Sequence, residues 1–250
     1  VSRLYEEVAA QLPDARLLFL NYGLVESDPA RESWIEACDR PWRLHLNLVR
    51  RVLAGVELGG RTVLEVGAGR GGNCLYLARY TQAAHIWGMD RCESSVRLAR
   101  RNCQGHRIHL IVGDAERLPF GDATADVVLN IESAHCYAGF ETFLAEARRV
   151  LRPGGVFALA DLWRLSVLSY DWEARERALH RAGWEPLREE DISEEVFLAL
   201  RTDDGLSGLL LSLERRHNSE LVRRIVQENF AMRLSLASGQ CAYKIWQFRR

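Results

Sequence analysis

The middle of the 250-residue chain alternates between short apolar runs and amphipathic stretches. The runs at Thr62–Val66, His85–Asp90, Ile108–Gly113, Asp126–Ile131 and Val156–Leu162 have the length of buried strands and are bounded by turn residues. Around them, apolar positions recur at helical spacing over Gly72–Tyr80, Glu93–Asn102, Gly139–Val150 and Glu173–Ala182. Such alternation predicts βαβ units and a parallel sheet covered on both faces. The segment Ser2–Ala54 reads as helical. Leu4, Val8 and Leu12 recur before Pro13, Trp34–Leu53 forms a longer amphipathic stretch, and Leu20–Leu24 between them is turn-like. Trp184–Asp191 reads as a further strand, Ser193–Leu236 as a leucine-rich helical stretch, and Ala242–Phe248 as a closing aromatic strand.

One turn differs from the rest. Thr62–Val66 runs into Gly67-Ala68-Gly69-Arg70-Gly71-Gly72-Asn73 and then into a helix. Clustered glycines let the backbone come close to a ligand, and the amides at a helix N-terminus favour polar or anionic groups. The spacing Gly67-x-Gly69-x-x-Gly72 also satisfies the dinucleotide fingerprint, which on its own would indicate an NAD(P)-dependent oxidoreductase. A dinucleotide places its pyrophosphate at this helix N-terminus, where an ionised Glu65 at the strand end would repel it. The same carboxylate suits a cofactor carrying an ammonium and a sulfonium.

Downstream come Gly113-Asp114-Ala115-Glu116-Arg117-Leu118-Pro119-Phe120 and Leu151-Arg152-Pro153-Gly154-Gly155. In this order the motifs resemble those of class I S-adenosylmethionine-dependent methyltransferases, from about Val56 to Asp161 and more loosely to the end of the chain. The resemblance implies a Rossmann-like α/β fold with seven strands, mostly parallel, the last antiparallel between its neighbours. It divides residues 1–250, as a single domain, into an N-terminal helical lid (1–55), a cofactor-binding core (56–192), a helical cap insertion (193–236) and a final strand (237–250). It also implies S-adenosyl-L-methionine as cofactor. Glu65 is then expected near the amino group, acting through water or neighbouring amides, with Gly67, Gly69 and Asn73 in the loop beside the methionine portion. Asp90, ending the second strand, would accept both ribose hydroxyls, with Arg91 and Cys92 near the adenine. Asp114 would bond the adenine amino group, the Ala115 amide a ring nitrogen, and Asn130 the methionine amine or carboxylate.

Composition narrows the partners. A formal charge of −1 offers no global attraction for nucleic acid, and no dense Lys/Arg run supplies a local one. No apolar run reaches the roughly 18 residues that span a bilayer, and the amino terminus lacks a signal-peptide pattern. The six cysteines show no C-x-x-C spacing, so reduced thiols in a cytoplasmic protein are expected, with no metal site.

Methyl transfer from a sulfonium is an in-line displacement, to which a protein contributes proximity, alignment and removal of the nucleophile's proton. The loop Asn130-Ile131-Glu132-Ser133-Ala134-His135-Cys136-Tyr137 resembles that of small-molecule methyltransferases acting on polyketide, glycolipid and sugar hydroxyls, where a histidine faces the transferred methyl. His135 is therefore the expected base, acting as a neutral imidazole near the ordinary value of about 6.5. His217, on the insertion, is a possible helper, and Cys136 is expected as lining. His85, His106 and His109 fall at strand starts or edges, and His45 and His180 are expected on solvated helix faces. Tyr5, Tyr22 and Tyr137 are candidates for the lid or the acceptor pocket. An apolar roof over Ser193–Leu236 suits a lipophilic acceptor. O-methylation of a polyketide-type metabolite is the expected reaction. C- or N-methylation of a quinone- or lipid-like acceptor, and a non-catalytic cofactor-binding role, are the rivals.

Overall fold

A computed structural model describes residues 2–13, 17–164, 172–202 and 220–250. Seven strands, β1 (Thr62–Val66), β2 (His85–Asp90), β3 (Ile108–Val112), β4 (Ala125–Ile131), β5 (Leu151–Arg164), β6 (Glu185–Asp191) and β7 (Cys241–Arg249), form one sheet in the order β3-β2-β1-β4-β5-β7-β6. The first five are mutually parallel, and β7 runs antiparallel to both β5 and β6. The helices are α1 (Ser2–Gln11), α2 (Arg43–Val52), α3 (Gly72–Tyr80), α4 (Glu93–Asn102), α5 (Phe140–Val150), α6 (Trp172–Arg181), α7 (Ser193–Thr202) and α8 (Glu220–Ala237).

Central strands covered on both faces need apolar side chains at successive positions, and β4 shows this in the buried Val127, Val128, Leu129 and Ile131, interrupted only by Asn130. Two apolar layers result. One packs beneath α2, α3 and α7 and includes Leu48, Leu77 and Tyr243; the other packs beneath α5 and α6 and includes Phe143, Phe157 and Trp246. Chain order reverses where β1 separates β2 from β4, which leaves a crevice beyond the carboxyl ends of these strands.

The helices α3 and α4 and the strands β1 and β2 have the bounds that the apolar pattern predicts. Two segments differ. Trp34–Leu53 is not one amphipathic helix: Ala37–Trp42 is a 3₁₀ turn, and α2 begins only at Arg43. Pro41 lies inside that turn, and in an α-helix it would remove one backbone bond and clash with the carbonyl four residues back. Strand β5 starts at Leu151 rather than Val156. Its Pro-Gly-Gly stretch is carried by pairing of Leu151 with Ala125, followed by a register shift.

Candidate active site

The carboxyl ends of β1, β2 and β4 and the segment after β3 surround a cavity of about 530 Å³. Over it lie Leu17–Tyr22, Val8 of α1 with Leu12 just beyond it, and Ile225, Glu228 and Asn229 of α8. Leu12 and Leu17 pack with Val8, Ile225 and Val226, so the two ends of the chain meet above the cavity in a small apolar cluster of their own. Tyr22 lines the cavity; the Tyr5 side chain and the whole of His217 lie outside the described residues.

The glycine loop forms one wall. Gly67 has φ 81°, and a Cβ there would fall 1.9 Å from Ser133 Oγ, so only glycine lets the loop pass under the β4 loop. Gly69, Asn73, Asp90, Arg91, Asp114 and Ala115 all line the same cavity. Asp90 is half-buried; Oδ2 accepts from the Gly69 amide and Oδ1 from the Cys92 amide, each at 2.8 Å. Burial pushes its carboxyl up, and the two amide bonds oppose that rise. Each oxygen keeps further lone-pair capacity for a ligand hydroxyl. Asp114 Oδ1 accepts from the Glu116 amide at 3.0 Å, and the Arg91 guanidinium lies 3.9 Å from Oδ2.

Two residues expected at the cofactor stand behind the cavity wall. Glu65 does not line the cavity. It is fully buried behind the loop, where Oε1 accepts from Asn73 Nδ2 at 2.7 Å and Oε2 from the Cys74 thiol at 2.9 Å. Alternation along β1 turns its side chain towards α3, so its influence reaches the cavity through Asn73. Burial pushes its carboxyl up to about 7, against the Cys74 and Asn73 bonds. Asn130 is likewise fully buried and does not line the cavity. Its Nδ2 donates to Val66 O at 2.8 Å and to Tyr137 Oη at 3.0 Å, and its Oδ1 accepts from the Ala134 amide at 3.2 Å. It fastens β4 to β1 and shapes the loop that follows.

That loop makes the opposite wall, with Glu132, Ser133, His135, Cys136 and Tyr137 in the lining. Its turn Ala134–Cys136 is clamped from α6 by Arg175, which donates to Ala134 O at 2.9 Å and Tyr137 O at 2.6 Å. His135 Nδ1 lies 2.7 Å from Asp161 Oδ1, and the His135 amide donates to Asp161 Oδ2 at 2.8 Å. With Nδ1 taken, Nε2 is the ring nitrogen left to meet a ligand. Burial disfavours the charged imidazole, but the Asp161 carboxylate outweighs it and holds His135 well above the ordinary imidazole value. The expectation of an unperturbed histidine is corrected accordingly. Glu132 has φ 50°, a left-handed conformation that costs a non-glycine residue about 1–3 kcal/mol. Its Oε1 accepts from the Tyr22 amide at 2.8 Å and from the Tyr243 hydroxyl at 2.7 Å. Tyr137 Oη bonds Ser133 Oγ as well as Asn130, and burial raises its value.

Sequence reasoning missed Asp161, Glu132, Tyr243 and Arg175. Asp161 sits within a predicted strand and Glu132 within a quoted motif, but only the sheet order brings them together. His45 was misplaced on a solvated face. It is buried, with Nδ1 2.8 Å from Asn21 O and the ring stacked on Phe19. Elsewhere Glu36, Cys38 and Asp39 converge, and Arg79 places its guanidinium among them, 2.7 Å from Asp39 and 3.0 Å from Glu36, where a cation would otherwise sit.

The cavity fits a cationic cofactor better than a pyrophosphate. Of its lining arginines, Arg70 donates to Leu17 O at 3.4 Å and Val8 O at 3.1 Å, while Arg91 is directed at Asp114. Asp90 and Asp114 are left as the polar faces of the wall.

Comparison with known proteins agrees. A family profile described as a methyltransferase domain matches residues 64–159. The chain is 35% identical over 251 residues to a phthiotriol/phenolphthiotriol dimycocerosates methyltransferase of Mycobacterium tuberculosis (strain H37Rv), covering 98% of this chain and 90% of the relative. It is 37% identical over 193 residues to a fatty-acid O-methyltransferase of Mycolicibacterium smegmatis, covering 77% of this chain and 69% of the relative. Geranyl diphosphate C-methyltransferase from Streptomyces coelicolor, solved with Mg²⁺, geranyl diphosphate and S-adenosyl-L-homocysteine, shares the fold at TM-score 0.71 and 18% identity, covering 99% of this chain and 97% of that one. The chain belongs to the class I S-adenosylmethionine-dependent methyltransferases, and S-adenosylmethionine is its cofactor. The dinucleotide reading of the glycine spacing falls with that assignment. No described helix is long and apolar enough to cross a membrane.

Proposed function

We propose that the protein methylates a hydroxyl of a lipophilic small molecule of lipid or polyketide type, with His135 as general base. The observation that carries this reading is the 2.7 Å contact between His135 Nδ1 and Asp161. In the neutral ring Nδ1–H donates to Asp161, so Nε2 is an acceptor of fixed direction. A hydroxyl must lose its proton as it attacks, and a positioned imidazole takes it. When bound, the cofactor supplies the activated methyl group. Asp90 would hold its ribose hydroxyls, Asp114 and Ala115 the adenine with Arg91 alongside, and Gly67, Gly69 and Asn73 the methionine portion. Cys136 and Tyr137 line the acceptor side. A fatty acid in one relative's name and phthiotriol dimycocerosates in the other's support a lipid-like acceptor. The apolar cluster where α1 meets α8 is consistent with a lid that admits it.

The test is transfer from S-adenosylmethionine to 1-hexadecanol, hexadecane-1,2-diol, hexadecanoic acid and hexadecylamine, read by mass spectrometry. Gain of a methyl on the alcohols is expected. Transfer confined to the amine or the carboxylate would overturn the hydroxyl reading.

A further inference from the structure

Proton transfer through His135 leaves one group beside it without a task. Glu132 lines the cavity directly after β4, and its own amide donates to Ala160 O at 2.8 Å. Both donors to its carboxyl converge on Oε1, the Tyr22 amide from the N-terminal segment and the Tyr243 hydroxyl from β7. Oε2 has no partner among the described residues. The charged and titratable neighbours are Asp161 on β5, His135 on the same loop, and the two tyrosines.

Two carboxyls in one buried place resist simultaneous ionisation. Asp161 is fully buried and receives three donors: the His135 amide, His135 Nδ1 and the Leu162 amide at 2.7 Å. That is the environment of an ionised carboxylate. Glu132 receives donors on one oxygen only, which is the pattern of a neutral carboxylic acid whose carbonyl is Oε1 and whose O–H is Oε2. Burial pushes the Glu132 carboxyl up to about 8; the Tyr22 and Tyr243 bonds and the His135 charge oppose that rise, and the Asp161 charge adds to it.

We propose that Glu132 is a neutral hydrogen-bond donor that holds a second oxygen of the acceptor, so the preferred acceptor is a diol or a hydroxyacyl compound rather than a simple alcohol. His135 takes the proton of the oxygen being methylated, and Glu132 donates to a hydroxyl, ether or carbonyl oxygen beside it. A neutral carboxyl gives no electrostatic advantage to an ammonium-bearing acceptor. The assignment rests on the hydroxyl reading above.

Kinetics with hexadecane-1,2-diol and 1-hexadecanol, together with NMR of protein labelled with δ-¹³C glutamate, test it. For the diol, KM should stay level below about pH 8 and rise above it as Glu132 ionises. Glu132→Gln keeps a neutral donor, so it should retain turnover and flatten that rise. Glu132→Gly removes the side chain at a positive φ that glycine tolerates, and should raise KM for the diol by about five- to tenfold more than KM for the simple alcohol. Loss of turnover in Glu132→Gln would make Glu132 a base and overturn the proposal. The NMR resonance missing from Glu132→Gln should titrate near pH 8 and shift in Tyr243→Phe. A titration in the ordinary carboxylate range overturns the assignment whichever acceptor is found. If neither alcohol is methylated yet that resonance titrates near 8, the hydroxyl reading fails and the neutral donor stands.

Discussion

The two walls of the cavity are built by different means. On the β1–β3 side the polar groups are loop amides and two carboxylates, Asp90 ending β2 and Asp114 two residues beyond β3, and Asp90 is positioned by amides of Gly69 and Cys92. On the β4–β5 side, Tyr22, Glu132, His135, Asp161 and Tyr243 come from four separate stretches of chain and hold one another. The first wall presents groups fixed by bonds to neighbouring backbone amides. The second shifts protonation: a histidine held up by Asp161 and a carboxyl held up by burial. Binding a common cofactor needs only local geometry, whereas moving a proton needs groups whose environments disagree.

If that division is right, damage to each wall has its own signature. The largest effect belongs to His135→Ala, which should lower kcat by about 10²–10⁴-fold while calorimetric affinity for S-adenosylmethionine barely changes. Because Asp161 raises the His135 value, the basic imidazole is gained as pH rises through that raised value and lost on acidification, so the wild-type rate should climb well above pH 6.5. A comparable loss of cofactor affinity in His135→Ala would erase the distinction between the walls.

Behind the first wall, Glu65 offers a stability test. Its carboxyl moves from 4.5 to about 7 on folding. An acid raised by folding costs nothing below its unfolded value, and its contribution is lost as pH climbs towards the folded one, by at most about 3 kcal/mol. Glu65→Gln should therefore gain on wild type between pH 5 and pH 8 in denaturant melts. A pH-independent difference would mean that Glu65 is not buried as described.

Asp90→Ala should weaken S-adenosylmethionine binding by about one to two decades, with circular dichroism unchanged. Turnover at saturating cofactor should survive, in contrast to His135→Ala. Unchanged affinity would remove Asp90 from the site. The smallest effect concerns the lid: hydrogen exchange in α1, residues 17–22 and α8 should slow when S-adenosylhomocysteine binds. Protection confined to the central strands would contradict closure by these segments.

How much of this was readable from the chain follows the same line. Strands β1 and β2 and the helices α3 and α4 have their predicted limits, because each is set by a local apolar run and a local turn. Gly67, Gly69, Asp90 and Asp114 were placed by position at strand ends, and all line the cavity. The direction of a side chain at such an end was not readable. Glu65 and Asn130 turn inward, away from the cavity, because the pleat and the next helix decide which face they meet. Trp34–Leu53 failed for a local reason that was visible, Pro41, whose missing amide favours the tighter turn.

By itself the sequence determined the succession of strands and helices along the chain, the glycine-rich loop at the cavity and the histidine loop, since each depends on residues within one or two turns of chain. Tertiary structure alone decided that Asp161 stands under His135, that Tyr22 and Tyr243 meet on Glu132, and that both groups leave their ordinary protonation states. Those outcomes depend on sheet order, antiparallel entry of β7 and burial, which bring together residues up to 111 positions apart.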